Sequence, residues 1–308
     1  MARPSPTALS LSPLLATAVA ALAVVAVVRW RGARARAEPF GRGRSAALVG
    51  SLALLAAVLL SPLETVGSQY LLSAHLLQVL VVMGCVPPLL LLGFPGGGRA
   101  WPAPLRLAGD VAVHPAVALL LVNAVFFGWH APVLFNASLN HPELYAAQML
   151  SLLGVSILFW WPIVEPRGRT RWSIPPLFKL GFLLLATIPQ TFAGLIFALD
   201  HHLIYQGYAA GILGMTPLSD QQIAGASMAL LSKLALFVAF SVLMWRLLDG
   251  AEADDEASDD GGGPGTDDDT PTPVPPPLPA WLSLLDTDRV VDEPAPHPRK
   301  PERERVAT

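Results

Sequence analysis

Cysteine is almost absent from this chain of 308 residues, which contains only Cys85. A single cysteine excludes an intramolecular disulfide and any Cys-x-x-Cys metal site. Common catalytic patterns are missing as well. There is no Gly-x-x-x-x-Gly-Lys phosphate loop, no Gly-x-Ser-x-Gly elbow and no His-Glu-x-x-His sequence. We therefore predict that the protein is not an enzyme.

Charged residues are scarce as well, at 14% of the chain, whereas 53% of the residues are hydrophobic and the mean hydropathy is +0.51. These values lie outside the range of an ordinary soluble domain. Several segments reach the ~20 apolar residues that cross a ~30 Å hydrocarbon core, and a helix satisfies its own backbone hydrogen bonds there. We predict an all-α polytopic membrane protein, a bundle of seven transmembrane helices. The predicted spans lie near residues 9–30, 46–63, 71–94, 115–135, 144–164, 176–199 and 223–247.

The connections between these segments are of two kinds. Arginine occurs in one kind: six arginines lie in Arg29–Arg44, and the others are Arg99, Arg106, Arg167, Arg169 and Arg171. The other kind has no Lys or Arg and contains Glu64, His141, Asp200, His201, His202, Asp220, Gln221 and Gln222. Because Lys and Arg resist translocation, we predict that the arginine loops are cytoplasmic and the N-terminus extracytoplasmic. An odd number of spans then leaves the C-terminus in the cytoplasm.

The end of the chain differs from the rest in charge. Residues 249–308 carry 16 acidic and 5 basic side chains, whereas residues 1–248 carry 7 acidic and 15 basic ones. Glycine-rich and proline-rich stretches follow at 261–265 and 271–279. Such a composition cannot bury enough apolar surface to offset chain entropy. We predict a transmembrane domain at 1–248 and a disordered, acidic and proline-rich cytoplasmic tail at 249–308.

Polar side chains recur at the outer ends of five predicted helices, at depths where hydrocarbon makes them costly unless they share a pocket. His75 lies roughly 7 Å below the start of the third span, at 1.5 Å per residue. Imidazole and thioether groups favour copper, especially soft Cu(I). We predict His75 and His130 as the principal metal ligands. The second-tier ligands are Met83, Met149, His201 and His202, and the other candidate functional residues are Glu64, Gln78, Asp220, Gln221 and Lys233.

Structural roles are open for several of these residues. Asp220 could be the N-cap of the last helix, since Asp is preferred there, or could orient a ligand together with Gln221. The sequence Asp200-His201-His202 could be a solvated turn. Lys233 lies near the bilayer centre, where an ammonium is costly. It either pairs with a carboxylate or carbonyls inside the bundle, is deprotonated, or takes part in chemistry.

Two other functions are compatible with part of the pattern. A lysine midway along a seventh helix resembles microbial rhodopsins, but the third span has no Asp, Glu or Arg to serve as a counter-ion. Prolines inside spans, at Pro189 and Pro87-Pro88, favour a small-solute or ion transporter. Against transport, the two halves of the chain show no internal repeat.

Six short stretches occur in the order found in one membrane protein family. They are Ser61–Glu64, Ser73–Gln78, Pro87–Gly93, Trp129–Pro132, Leu158–Pro162 and Asp220–Gly225. On these the chain resembles, over roughly residues 48–248, the bacterial CtaG-type cytochrome c oxidase assembly proteins, which have seven helices. The resemblance implies a multi-pass protein of the bacterial plasma (inner) membrane that assists oxidase assembly by handling copper on the extracytoplasmic face. The implied partners are oxidase subunits or a copper chaperone and the lipid bilayer, but no nucleic acid.

The family's histidine motifs carry over to His75 and His130. The position four residues after His75, where the family often has a second histidine, is Val79 here, and the fifth helix has Tyr145 and Met149 in place of family histidines. A metal site on this chain is therefore depleted in imidazole. Either methionine and His201 or His202 compensate, which favours Cu(I), or this member has lost metal binding.

Overall fold

The computed structural model describes residues 5–7, 9, 12–35, 41–94, 103–166, 172, 174–208 and 214–259. Every regular element in these residues is helical, and they contain no strand, so the all-α prediction is confirmed. The chain divides into two units, Met1–Glu256 and Ala257–Thr308. All residues that form the site described below belong to the first unit.

Eleven α-helices occur in the described residues, and most begin with proline, which lacks an amide hydrogen and is tolerated in a first turn. They are α1 (Pro13–Ala35), α2 (Arg42–Leu59), α3 (Pro62–Gln69), α4 (Leu72–Leu80), α5 (Val86–Gly93), α6 (Ala103–Ala112), α7 (Pro115–His130), α8 (Pro132–Asn140), α9 (Pro142–Val164), α10 (Pro176–Leu199) and α11 (Pro217–Asp259). A π-helical turn, Val81–Cys85, joins α4 to α5, and a 3-10 turn, Gln206–Tyr208, lies between α10 and α11.

Five helical segments of the described chain are long and apolar enough to cross a bilayer. They are Pro13–Ala35, Arg42–Leu59, Leu72–Gly93, Pro142–Val164 and Leu177–Leu199. The bent pair α7 and α8 gives a sixth if it counts as one span. The predicted span 223–247 lies within α11, which is not among these segments. The count of seven spans and the orientation of the termini stay predictions.

The last helix extends into the region predicted to be a disordered tail. Helix α11 continues to Asp259, past the predicted boundary at 248. The remainder of that tail, residues 260–308, lies outside the described residues. The extension has a local cause, because Ala251, Glu252 and Ala253 are good helix formers.

The predicted fourth span, 115–135, is broken near its C-terminal end. Helices α7 and α8 meet at Ala131 and bend by 68°. Pro132 disfavours the helical conformation of the residue before it, and Ala131 accordingly has φ −63° and ψ 130°. The break leaves His130 as the last residue of α7 and turns α8 back over the end of the bundle.

The predicted third span, 71–94, contains a π-helical turn at Val81–Cys85. Pro87 and Pro88 have no amide hydrogens, so the carbonyls of Met83 and Gly84 lose their usual helical donors. The indole Nε1 of Trp160 in α9 donates to the Met83 carbonyl oxygen at 2.9 Å. A side chain from a neighbouring helix thus satisfies a backbone group that lipid could not.

The spans pack in two closely contacting groups. Helix α2 packs against α5, and α9 packs against both α5 and α7. Helices α10 and α11 approach at Gly194 and Gly225, where a Cβ on Gly225 would overlap the Gly194 carbonyl oxygen and the Ala198 amide. Small residues permit such backbone contact between membrane helices. This contact places the middle of α10 beside α11.

Candidate metal centre

His75 and His130 face each other inside the bundle. Both are buried, with exposed fractions of 0% and 6%, and their ring centroids lie 6.0 Å apart at an interplanar angle of 61°. At this separation two ring nitrogens can both reach a metal ion at the usual ~2 Å. His75 is in the first turns of α4 and His130 ends α7, so two different spans supply the pair.

The hydrogen bonds of the two imidazoles leave three ring nitrogens for a ligand. His130 Nδ1 lies 2.7 Å from the Phe126 carbonyl oxygen one turn earlier in α7. A metal-binding histidine commonly donates its second N–H to such a carbonyl, which fixes the ring and directs the other nitrogen at the ion. His130 Nε2 and both ring nitrogens of His75 are buried and have no hydrogen-bond partner among the described residues.

Aromatic rings enclose the pair. Phe126 stacks on His130 with ring centroids 4.2 Å apart. The rings of Phe135 in α8 and Tyr145 in α9 contact the His75 ring edge-on, with ring centroids 4.9 Å and 5.6 Å from that of His75. These rings exclude water, so a polar atom here gains little from solvent and depends on a ligand or protein partner.

Tyr145 and Gln78 form a buried hydrogen-bonded chain beside His75. The Tyr145 hydroxyl donates to Gln78 Oε1 at 2.7 Å, and Gln78 Nε2 donates to the Val58 carbonyl oxygen of α2 at 2.6 Å. A Cβ on Gly67 would overlap Gln78 Oε1, so a larger residue there would displace the end of the Gln78 side chain. These two hydrogen bonds hold α2, α4 and α9 at fixed positions around the imidazoles.

The connection between α10 and α11 covers this end of the bundle. The Tyr205 hydroxyl donates to the His130 carbonyl oxygen at 2.7 Å. Burial raises the pKa of Tyr208, so its phenol stays protonated and donates to the Gly67 carbonyl oxygen. Sequence analysis missed Phe135, Tyr205 and Tyr208. The signal was present, since Tyr205 and Tyr208 are the two aromatic residues of the connection between His202 and Asp220.

Asp220 acts as a cap for a helix other than its own. Its carboxylate accepts from the Leu72 amide at 2.7 Å, from the Ser73 amide at 3.2 Å and from the Ser73 hydroxyl. Leu71, the N-cap residue of α4, has no side chain able to do this. Asp220 lies in the first turn of α11. It therefore orients the helix that carries His75 without contacting either imidazole.

Gln221 and Glu64 also lie in this region and are buried. Gln221 holds the covering connection in place: its Oε1 accepts from the Ile204 amide at 2.8 Å and its Nε2 donates to the His202 carbonyl oxygen at 2.9 Å. Glu64, in the first turn of α3, interacts electrostatically with Tyr145. Both residues support the surroundings of the histidine pair.

Two of the four second-tier ligands, the histidines, lie at the surface. His201 and His202 are exposed, and the His202 side chain is 93% accessible. The His202 amide donates to Asp200 and lowers the pKa of that carboxyl, as in a solvated turn. Met149 is fully buried on α9, one turn beyond Tyr145.

A cavity adjoins the pair on the side facing the middle of the spans. It has a volume of about 80 Å³. Two methionines, Met83 and Met228, lie in its wall together with Phe126, which stacks on His130. Val79, where an imidazole was expected, is also part of this wall. Thioethers therefore line a cavity that shares Phe126 with the surroundings of the pair, although neither imidazole lies in its wall.

The donor set is small. No group of three or more His, Cys, Asp or Glu side chains able to hold a metal occurs in the described part of the chain. Two imidazoles whose ring centroids lie 6.0 Å apart in apolar surroundings fit an ion that accepts few ligands. They do not fit an octahedral ion such as Mg²⁺, which prefers oxygen ligands.

These features define a class: a polytopic helical membrane protein with a buried histidine pair at one end of its bundle. Residues 21–249 match the family described as cytochrome c oxidase caa3 assembly factor (Caa3_CtaG). Because the match covers most of the chain, the protein belongs to this family. The resemblance drawn from the sequence motifs is thereby confirmed. No curated protein and no solved structure gives a match to this chain.

Proposed function

We propose that this protein delivers or holds copper during the assembly of cytochrome c oxidase, at the extracytoplasmic face of a bacterial plasma membrane. One observation carries the proposal. Three buried ring nitrogens of His75 and His130, on two spans, have no hydrogen-bond partner among the described residues. Unsatisfied buried polar atoms are costly and rare, so a set of three on facing rings indicates a ligand.

The chemistry of the donors favours Cu(I) as the cargo. Copper has the highest affinity for imidazole among the common divalent metals, and thioethers select its monovalent form. The cavity with Met83 and Met228 in its wall provides thioethers, and it shares Phe126, which stacks on His130, with the surroundings of the imidazoles. We infer that the imidazoles hold the ion and that the methionines offer an alternative ligand when it is passed on. An oxidase subunit or a copper chaperone would be the partner in that transfer.

The surroundings support binding that is firm but reversible. Phe126, Phe135 and Tyr145 keep water from the imidazoles. Only two side chains hold the ion, so a partner with more sulfur or imidazole ligands can remove it. A structural metal site would be closed by four protein ligands.

A gene deletion in the source bacterium tests this function. We expect the deletion strain to lose most of its cytochrome c oxidase activity and to regain it when copper is added to the medium. The full-length gene should restore activity at ordinary copper. The gene with His75→Ala and His130→Ala should not, although the variant protein is present in the membrane in equal amount. Oxidase activity and haem spectra of membranes are the measurements.

Each outcome of that experiment has a distinct meaning. Normal oxidase activity in the deletion strain would contradict a role in assembly. Full complementation by the double variant would contradict copper handling by the pair while leaving the assembly role in place. A control variant with His201→Ala and His202→Ala, which alters two exposed histidines, should complement fully.

A further inference from the structure

Lys233 lies in α11, near the middle of the predicted span 223–247. Its Nζ donates a hydrogen bond to the Thr191 hydroxyl of α10. Thr191 lies near the middle of the segment Leu177–Leu199, about 12 Å of helix from Leu199 at 1.5 Å per residue. The Thr191 hydroxyl in turn donates to the Thr187 carbonyl oxygen at 2.6 Å. The ammonium is therefore fixed at this depth by a neutral partner.

The chain itself offers no acid at this depth. None of the seven predicted spans contains a single Asp or Glu. The acidic cluster that begins at Asp249 is too far along α11 to reach Lys233, because roughly 24 Å of helix separates the two positions. Glu165 is already paired, since its carboxylate lies 2.8 Å from the Lys179 ammonium. Among the described residues, no carboxylate forms an ion pair with Lys233. An ammonium in hydrocarbon without a counter-charge is costly, so intramembrane charges mark functional sites.

The helix surface beside Lys233 is open. Leu230 and Phe237, one turn before and one turn after Lys233 on the same face of α11, are 71% and 65% exposed. On α10, Ile188 and Leu195 flank Thr191 and are 45% and 42% exposed. The lysine thus lies in the seam between α10 and α11, and the apolar residues around it leave room for another helix.

We propose that this seam binds a transmembrane helix of a partner protein that carries an Asp or Glu at the middle of its span. The carboxylate would pair with Lys233, and the apolar side chains of both proteins would pack around the ion pair. A second copy of this chain does not fit, because its spans contain no acid. A lipid phosphate does not fit either, since headgroups lie at the membrane surface. We infer that the partner is an oxidase subunit, and this identity rests on the function proposed above.

Crosslinking from the seam tests the proposal directly. A photoreactive amino acid is placed at Phe237 of the full chain and irradiated in membranes that contain the oxidase. We expect it to capture an oxidase subunit through a peptide whose transmembrane segment contains Asp or Glu. The same photoreactive amino acid at Leu120 of α7, which is 70% exposed against 65% for Phe237, should capture only lipid. Capture from Phe237 of lipid alone, of a second copy, or of a helix without an acidic residue would overturn the proposal.

Variants of the lysine supply the second arm. We expect Lys233→Met to reduce the crosslink from Phe237 at least tenfold and Lys233→Arg to retain it. Exchange of charges, with Lys233→Asp here and the partner's carboxylate changed to Lys, should restore it. An undiminished crosslink in Lys233→Met would overturn the ion pair as its basis.

The two proposals can fail separately. Cu(I) binding by purified Lys233→Met protein should equal that of the unaltered chain, because Lys233 contacts neither imidazole. A crosslink to an oxidase helix with an acid, in a protein that binds no copper, would support docking and contradict copper handling. The reverse combination would contradict docking alone.

Discussion

Asp220→Ala is expected to lower the free energy of unfolding by about 3 kcal/mol, measured by denaturation of the full chain in detergent. The carboxylate accepts hydrogen bonds from two amides and one hydroxyl at the start of α4, and hydrogen bonds to a charged group are each worth about 1.5–3 kcal/mol. Its removal leaves the Leu72 amide buried without a partner. Loss of an ordinary N-cap costs only about 1 kcal/mol. We expect a larger loss of stability for Asp220→Ala because Asp220 connects two different spans.

The matched control is Glu143→Ala. Glu143 is also an acidic residue in the first turn of a helix, but it is exposed. Its interaction with the helix dipole is worth less than about 1 kcal/mol. If the two variants lose similar amounts of stability, the cross-helix cap does not have the role assigned to it.

Replacement of both His75 and His130 by alanine should lower Cu(I) affinity by more than about 100-fold, since loss of an outer partner of a metal ligand alone costs 10–100-fold. Competition with a colorimetric Cu(I) chelator under reducing conditions measures the affinity of the purified full chain. Each single variant should lose most of the same affinity, because one imidazole holds the ion poorly and residues that act together are not additive.

The exposed histidines provide the contrast for this experiment. His201→Ala with His202→Ala removes the same number of imidazoles from the same end of the molecule. We expect the Cu(I) affinity of this variant to stay within about twofold, well below the tenfold change that corresponds to about 1.4 kcal/mol. An equal loss in both double variants would indicate that copper binds nonspecifically to histidine. An unchanged affinity in His75→Ala with His130→Ala would mean that the pair is not the site.

Sequence alone predicted the pair because its signals are local. The depth of His75 follows from the helical rise, and the position of His130 follows from the end of an apolar segment. Both histidines were placed at the outer ends of different spans, and the structure brings them together. The same local reasoning gave the bounds of most spans, since a long apolar segment in lipid has no alternative to a helix.

The parts that sequence could not supply depend on contacts between distant residues. Asp220 caps Leu72, which lies 148 positions earlier in the chain. In the π-helical turn, the Met83 carbonyl oxygen accepts a hydrogen bond from the Trp160 indole of another helix. His201 and His202 had the right residue type for copper, but only the path of the chain after α10 shows that they are exposed. The residue types indicated which side chains could bind a metal, whereas the contacts that each side chain makes could be read only from the fold.

The X-ray absorption spectrum at the copper edge of the Cu(I)-loaded, purified full chain tests the central claim most directly. We predict one bound copper per chain with two imidazole nitrogens at about 2 Å, and loss of this signal in His130→Ala protein. A copper ion surrounded by sulfur alone, or no copper retained by the unaltered chain, would contradict the assignment of His75 and His130 as its ligands.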